Sequence, residues 1–152
     1  MLRIGKITDY GIVVASRLAG TAANASHSVR DVAIMTAVPQ PTVSKVLKQL
    51  ARAGIVSSAR GANGGYRLSR PPEQISVVQV IEALEGPIAV TECSGETRGL
   101  CTHEARCGVR ANWERINQAV YQALSGISLA DMTRPLARDL IHLVAQKRAA
   151  QP

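Results

Sequence analysis

Residues 40–70 read QPTVSKVLKQLARAGIVSSARGANGGYRLSR, and this stretch decides the fold. In its first half, apolar residues recur at the 3, 1, 3 spacing that puts them on one buried face of a helix. These residues are Val43, Val46, Leu47 and Leu50. Pro41 suits the first helical position, and Gly54 is expected to end the helix. In the second half, short β-prone pieces flank a glycine-rich tip, which predicts a hairpin over residues 55–70.

Two more helices are predicted ahead of this stretch. Apolar residues at helical spacing mark the first, which is expected to start near Thr8 or Asp9. They are Tyr10, Val13, Val14 and Leu18. Ser28 and Asp31 form a start signal of the capping-box type, which opens a second helix through about Thr36. Helix, short turn, helix and hairpin, in that order, predict a winged helix-turn-helix.

The remaining residues predict further helices and a cysteine-rich loop. Ser76 and Gln79 open a helix that stops at Gly86-Pro87, and apolar periodicity predicts a helix of about seventeen residues over 109–125. A short turn starting at Ser128 and a last helix from Leu136 to Val144 complete the pattern. We therefore predict a mostly α fold: a winged helix-turn-helix with a two-stranded wing, a cysteine loop and a long dimerisation helix.

The chain is predicted to have three parts. Residues 1–72 would form the winged helix-turn-helix, residues 73–108 a linker helix with the cysteine loop, and residues 109–152 the dimerisation helix with a C-terminal extension. Periodicity alone leaves open whether the helix over 109–125 pairs with a second copy or packs on its own domain. The small residues Ala119 and Ala123 on it would allow close approach.

Charge separates the two halves of the sequence. Residues 1–70 hold ten Lys or Arg and two acids, a net +8, whereas residues 71–152 hold eight bases and nine acids, a net −1. A basic half indicates a polyanion as partner, and the predicted fold makes that partner double-stranded DNA.

The predicted DNA contacts lie on the third helix and on the hairpin. A helix fits the major groove with its N-terminal residues near base edges, so Gln40, Thr42, Ser44 and Lys45 are candidates for base contacts. Lys48 and Arg52 are expected to contact the phosphate backbone. The hairpin adds two further candidates. Arg60 lies beside the glycines and is expected to enter a narrow minor groove, and Arg67 lies on the return strand.

All three cysteines of the chain, Cys93, Cys101 and Cys107, lie in the stretch ECSGETRGLCTHEARC, residues 92–107. Their C-x7-C-x5-C spacing fits neither a zinc ribbon nor a ferredoxin run. Three thiolates in a polar loop could hold one iron–sulfur cluster, and burial as ordinary core cysteines is the alternative. A fourth ligand could come from His103 or Glu104 nearby, or from the distant Asp9.

The sequence resembles the bacterial winged-helix regulators that carry iron–sulfur clusters, the IscR-like and NsrR-like group. The similarity runs from residue 1 to about residue 134. It rests on LRIGKITDYG, on VSKVLKQLARAGIVSSARGANGGYRLSR with its specific wing, on ISVVQVIEALEGPI and on the three-cysteine loop. LEGPIAVTEC, VRANWERINQAV and SLADM most resemble the branch that regulates SUF iron–sulfur assembly.

The resemblance implies a homodimer in which each loop holds a cluster through Cys93, Cys101 and Cys107. In IscR-like members a histidine three residues after the last cysteine completes the site, and Arg110 stands there in this chain. NsrR-like members use an aspartate near the N-terminus, which Asp9 matches with an offset of one residue. The resemblance thus favours Asp9 as fourth ligand, and it also marks Arg60 as the wing arginine. The spacing of x7 rather than x5 between the first two cysteines leaves the cluster type open, and we expect a four-iron rather than a two-iron cluster.

The function predicted is a transcriptional regulator, a repressor, that senses cluster status at promoters of SUF genes. A regulator responding to nitric oxide or redox state is the alternative within the family, and an iron–sulfur electron carrier is the alternative of another class. An enzyme is not expected, because the chain has no phosphate loop, nucleophile elbow or HExxH. A small-molecule substrate is not expected either. Because we find no signal peptide and no membrane span in the sequence, we expect a cytoplasmic protein.

Overall fold

The computed structural model describes residues 4–61, 64–95 and 101–134. Six helices and one hairpin follow each other in the predicted order, so the predicted mostly helical fold with a two-stranded wing is confirmed. The helices are α1 Lys6–Ala19, α2 Val29–Thr36, α3 Gln40–Arg52, α4 Val77–Glu85, α5 Arg110–Ser125 and α6 Leu129–Thr133, and the wing strands are β1 Val56–Ala59 and β2 Gly65–Leu68. The predicted last helix, from residue 136, lies outside the described residues.

Three of the helices begin with a capping box, as the sequence predicted for α2 and α4. At α2 the Ser28 hydroxyl accepts a hydrogen bond from the Asp31 backbone N–H at 3.1 Å, and the Asp31 carboxylate accepts one from the Ser28 N–H at 3.0 Å. Ser76 pairs in the same way with Gln79 at α4, and Ser128 with Asp131 at α6. Each box satisfies backbone N–H groups that a helix start would otherwise leave without an acceptor.

A single aliphatic core joins elements from both halves of the chain. α1 lies in its middle and packs against α2, α3, α4 and α6. Side chains with no exposed surface come from α1, α2, α3, the segment before α4, α4 itself and α6. The apolar ones are Val14, Ala15, Val32, Val43, Val46, Leu47, Leu50, Ile75, Val80 and Leu129. The predicted division at residues 72 and 108 stays a prediction, and this packing crosses both positions.

The start of α1 and the end of α4 are joined at close quarters. The Glu85 carboxylate accepts hydrogen bonds from the Gly5 backbone N–H at 3.1 Å and from the fully buried Thr8 hydroxyl. One turn further along, Gly11 lies so near Leu84 that a Cβ at residue 11 would overlap the leucine Cδ1. The two helix ends are therefore held as one unit.

The wing is wider than the predicted hairpin. β1 and β2 pair antiparallel with Ser57 opposite Arg67, and the backbone of His27 extends the ladder along β2. The His27 N–H donates to the Tyr66 carbonyl at 3.0 Å, and the Tyr66 N–H donates to the His27 carbonyl at 2.8 Å. Gly65 makes this approach possible, because its φ is +147° and a Cβ there would lie 2.7 Å from the His27 carbonyl oxygen.

Residues 76 and 128 meet and form an antiparallel bridge. The Val77 N–H donates to the Ile127 carbonyl, and the Leu129 N–H donates to the Ile75 carbonyl, each at 2.8 Å. The bridge therefore holds the start of α4 next to the end of α5, and the cysteines lie in the chain between these two helices. Within the described ranges, no helix has the length and apolar character needed to cross a bilayer.

Candidate nucleic-acid interface and cysteine segment

Helix α3 separates a buried apolar face from an exposed polar one. Its four apolar residues have no exposed surface, whereas Gln40, Lys45, Lys48 and Arg52 are exposed and Thr42 and Ser44 are half-buried. No acidic residue occurs between Gln40 and Arg52. The structure therefore brings all six predicted contacts of this helix onto the side away from the core, where they present cationic and hydrogen-bonding groups.

The turn before α3 sets the angle at which that helix leaves α2. Ala37 adopts the left-handed conformation at φ 55°, and Val38 turns back into the core with 6% of its surface exposed. Pro39 precedes the helix, and Pro41 is its second residue, one position later than predicted. A fixed turn of this kind holds the second helix of a helix-turn-helix clear of the first.

The wing places its two predicted arginines in different surroundings. Arg60 is exposed at the tip, next to Gly61, whose φ is +106°. Arg67 points away from the core on β2 and lines a cleft of about 790 Å³ with Arg70 and the loop after α1. Among the described residues lining that cleft, none belongs to α3. The cleft therefore does not bring Arg67 together with the predicted contacts of α3. Arg70, three residues after Arg67, also lines the cleft, and the sequence did not predict it as a DNA contact.

The three cysteines are free thiols, and each is partly exposed. Cys93 lies in a short 3-10 turn, Glu92–Ser94, and its sulfur is 3.3 Å from the Thr91 hydroxyl oxygen. Cys101 and Cys107 lie on either side of a second turn, Glu104–Arg106. None of the three is among the buried residues of the hydrophobic core. Partial exposure leaves the thiols available to a ligand.

The Asn117 side chain on α5 fastens the chain just before and after Cys93. Its amide oxygen accepts from the Val90 N–H at 3.0 Å, and its amide nitrogen donates to the Ile88 and Ser94 carbonyls at 3.1 and 3.4 Å. These partners are 23 to 29 residues away in sequence, so local sequence patterns gave no signal for them.

The donor set fits an iron–sulfur cluster by its chemistry, because three free thiols lie within fifteen residues and thiolates are the ligands that such clusters prefer. The described residues do not bring three His, Cys, Asp or Glu side chains to a common point. Asp9 is exposed near the start of α1, and His103 is exposed beside Cys101. The Glu104 side chain lies outside the described part of the chain. Within the ranges that the structure describes, the chain therefore supplies the donors without assembling them.

Known proteins resemble this chain over most of its length. The model of the Rrf2 family, described as an iron-dependent transcriptional regulator, matches residues 4–135. Protein rrf2 of Nitratidesulfovibrio vulgaris is 35% identical over 107 residues, which make up 70% of this chain and 71% of that protein. A protein of Azotobacter vinelandii that carries the name of an HTH-type transcriptional regulator is 33% identical over 135 residues, which make up 88% of this chain and 81% of that protein.

Solved structures have the same fold. CymR, the global cysteine regulator of B. subtilis, superposes with a TM-score of 0.69 at 29% identity and covers 88% of this chain and 97% of its own. T. potens IscR superposes with a TM-score of 0.67 at 25% identity over 99% of this chain and 93% of its own. The relatives are named as regulators, which confirms that the chain is not an enzyme. The chain belongs to the Rrf2 family of winged-helix transcriptional regulators.

Proposed function

We propose that this protein is a repressor that binds promoter DNA of SUF iron–sulfur assembly genes and senses cluster supply through its own iron–sulfur cluster. The observation that carries the proposal is the presence of three free, partly exposed thiols in one segment. That segment is joined, through the end of α4, to the core on which the basic helix α3 is built. The family description as iron-dependent supports the same choice over a cofactor-free regulator.

DNA recognition is assigned to α3 and the wing. The exposed Lys45, with Gln40, Thr42 and Ser44, would contact base edges in the major groove, and Lys48 and Arg52 would neutralise phosphates. Arg60 would contact DNA from the wing tip, and Arg67 would do so from the outer face of β2. A homodimer would place two such heads on half-sites about one helical turn apart.

The cluster is assigned to Cys93, Cys101 and Cys107, with Asp9 of the second copy as fourth ligand and four irons preferred over two. A bound cluster with one oxygen ligand would supply a group that oxidants, nitric oxide or iron scarcity can remove. A ligand from the second copy fits the structure, because the described residues of one chain do not assemble a site and Asp9 is exposed.

The link from cluster to DNA is assigned to the joined ends of α1 and α4. Glu85 ends α4, with six residues between it and the cysteine segment at 92–107, and accepts hydrogen bonds from residues 5 and 8, which flank the start of the helix that carries Asp9. α1 also packs directly against α3. A shift of the cysteine segment would thereby change the position of α1 and then of the reading helix.

The direct test compares cluster-loaded and metal-free protein on SUF promoter DNA. Anaerobically purified protein is expected to contain iron and sulfide, and its operator affinity is expected to exceed that of the metal-free form by two to three orders of magnitude. That ratio equals about 3–4 kcal/mol of coupling. Equal affinity of the two forms would overturn the sensor and leave a DNA-binding regulator. If no DNA binding were detected and the cluster cycled reversibly between its oxidised and reduced states, the electron carrier would be favoured.

The fourth ligand has its own test. Asp9→Ala is expected to leave a cluster that forms but is lost to a chelator faster than in the wild type. Glu82→Ala, which removes a carboxylate from α4, is the matched control and is expected to keep the wild-type rate. Unchanged cluster loss in Asp9→Ala would contradict the assignment of Asp9.

A nitric oxide sensor is the second candidate, and the exposed carboxylate of Asp9 favours it, since an oxygen ligand to iron is readily displaced. Stopped-flow mixing of the cluster-loaded protein with nitric oxide, oxygen or an iron chelator distinguishes the two. Reaction with nitric oxide far ahead of the other two would favour this candidate, and comparable responses to oxygen and chelator would favour the sensor of cluster supply.

A further inference from the structure

We propose that Asn117 is a positioning residue that fixes Cys93 in place before any cofactor binds, so that the cluster assembles on one preset thiol. The inference rests on the proposed function in one respect, that Cys93 is a cluster ligand. It concerns a residue on α5, a helix that contributes no thiol of its own.

The geometry of the Asn117 amide carries the inference. Its oxygen accepts one hydrogen bond and its nitrogen donates two, so both ends of the amide are used. The three partners are backbone groups of Ile88, Val90 and Ser94, which lie on both sides of Cys93 along the chain. Asn117 is partly buried, and hydrogen bonds shielded from water hold a backbone more firmly than exposed ones.

A second set of hydrogen bonds carries this order to the sulfur. The Thr91 N–H donates to the Ser94 hydroxyl at 3.0 Å, and the Ser94 N–H donates to the Thr91 carbonyl at 3.0 Å, which closes the turn around Cys93. The Thr91 hydroxyl then lies 3.3 Å from the Cys93 sulfur. The turn that Asn117 anchors therefore also determines where the Cys93 side chain points.

Cys107 stands in a different environment. Backbone hydrogen bonds near it are short-range along the chain, from the Arg106 N–H to the His103 carbonyl at 3.1 Å and from the Arg110 N–H, at the start of α5, to the Cys107 carbonyl at 3.3 Å. The chain around Cys93 is held instead by a side chain from the middle of α5, that of Asn117.

An asparagine suits this role, since an amide is the side-chain group that donates and accepts at one place. Asn117→Asp keeps an acceptor for the Val90 N–H but sets a charged oxygen against the Ile88 and Ser94 carbonyls. Asn117→Ala removes all three bonds. Asn112, exposed on the same helix, gives the matched control Asn112→Ala, which makes the same change of residue type away from the cysteine turn.

The experiment has two arms on the full-length protein. In the cluster-loaded arm, iron release to a chelator is expected to be about ten- to a hundredfold faster in Asn117→Ala and Asn117→Asp, because changing a residue that orients a metal ligand typically lowers metal affinity by that factor. In the cofactor-free arm, the alkylation rate of Cys93 by iodoacetamide is expected to change at least threefold in both variants. Cys101, Cys107 and the Asn112→Ala control are expected to keep their wild-type rates.

The outcomes separate this inference from the proposed function. Unchanged iron release in both variants, with hydrogen exchange at the Val90 amide raised, would reduce Asn117 to a structural residue and overturn the inference. A wild-type protein that binds no cluster would overturn the proposed function, and the alkylation arm would still decide whether Asn117 positions Cys93. Equal changes at all three cysteines would show general loosening of the fold and would also overturn the inference. Hydrogen exchange of core amides such as that of Leu47 reports whether each variant is folded.

Discussion

At the scale of single residues, the exposed face of α3 contains side chains predicted to make two kinds of DNA contact, to base edges and to phosphates. Lys45 stands in the second turn of the helix, near the end expected to meet base edges, whereas Lys48 and Arg52 follow one and two turns later. All three are exposed. Their sequence positions could be predicted, because a 3, 1, 3 apolar spacing determines which side of a helix remains outside.

Lys48→Ala is expected to weaken binding to operator and to unrelated DNA by a similar factor, because a phosphate contact carries no sequence information. The slope of log affinity against log salt should fall in magnitude by about 1. Fluorescence anisotropy over a salt series measures both effects. Arg115→Ala on α5 removes the same charge away from α3 and is the control.

Lys45→Ala is expected instead to cost about 1–3 kcal/mol on the operator and little on unrelated DNA, and to relax the base preference at one position. Binding selection from a randomised operator measures that preference. An equal loss on operator and unrelated DNA would make Lys45 a phosphate contact.

The capping serines affect stability through the carboxylates they bind. Hydrogen bonds from the Ser28 hydroxyl and N–H hold the pKa of Asp31 below its ordinary value, and Ser128 lowers the pKa of Asp131 in the same way. A depressed folded-state pKa adds stability that is present above the unfolded value, near pH 4, and is lost as pH falls toward the folded value. The free energy of unfolding is therefore expected to decline from about pH 4 downward.

The double variant Ser28→Ala, Ser128→Ala should have a flatter decline below pH 4 in urea unfolding. Ser76→Ala is the control, because it breaks a capping box whose partner, Gln79, does not titrate. It should lower stability by a similar amount at every pH. A steep acid decline that persisted in the double variant would assign it to other carboxyl groups.

At the scale of elements, the sequence predicted what local chemistry determines. Ser28, Ser76 and Ser128 each stand three residues before a side chain that completes a capping box, and all three helices start there. Contacts between distant residues gave no such signal. The His27 backbone beside β2 and the full burial of Leu129, which was predicted only as part of a short turn, depend on how elements meet.

For the candidate site, too, residues whose chemistry is local could be predicted from the sequence, and residues that act through distant contacts could not. The cysteines and the exposed α3 residues could be named from the sequence, because a thiol or a lysine shows its chemistry in its identity. Asn117 and Arg70 could not, since an asparagine or an arginine acquires its role only from what lies opposite. Glu85 is a further example, because its bonds to residues 5 and 8 span about eighty positions of the chain.

Gly65→Ala tests the element that joins the wing to the loop after α1. The added Cβ would meet the His27 backbone, and φ +147° is strained for any side chain, so the free energy of unfolding should fall by roughly 2 kcal/mol or more. Gly54→Ala is the control, since its φ is +71° and its Cβ would meet nothing within 4 Å. It should cost only about 1–2 kcal/mol, the penalty of the left-handed conformation. Equal losses in urea unfolding would show that the contact with His27 adds nothing.

At the scale of the whole molecule, α5 stands apart from the core. None of its sixteen residues is buried in the described chain. Three large apolar side chains on it are left partly in water: Ile116 is 44% exposed, Tyr121 is 38% exposed, and Trp113 is half-buried. A helix with an apolar stripe left in water would be stabilised by covering that stripe. A second copy of the chain, as in the homodimer proposed above, would supply such a cover.

Ile116→Glu is therefore expected to shift the proposed homodimer to monomer at micromolar concentration, because a carboxylate would be placed in the proposed apolar contact. Sedimentation velocity measures the shift. Gln118→Glu adds the same charge at an exposed position of the same helix and should leave the dimer intact. A dimer unaffected by Ile116→Glu would place the subunit contact elsewhere.

The meeting of residues 76 and 128 has a consequence for how such proteins diversify. Residue 76 precedes α4 and residue 128 follows α5, so the bridge holds the outer ends of these two helices together whatever the length of the loop between them. Lengthening a flexible loop adds only slowly to the entropy of closing it. The loop that holds the cysteines can therefore change in length during evolution while the winged-helix scaffold keeps its shape.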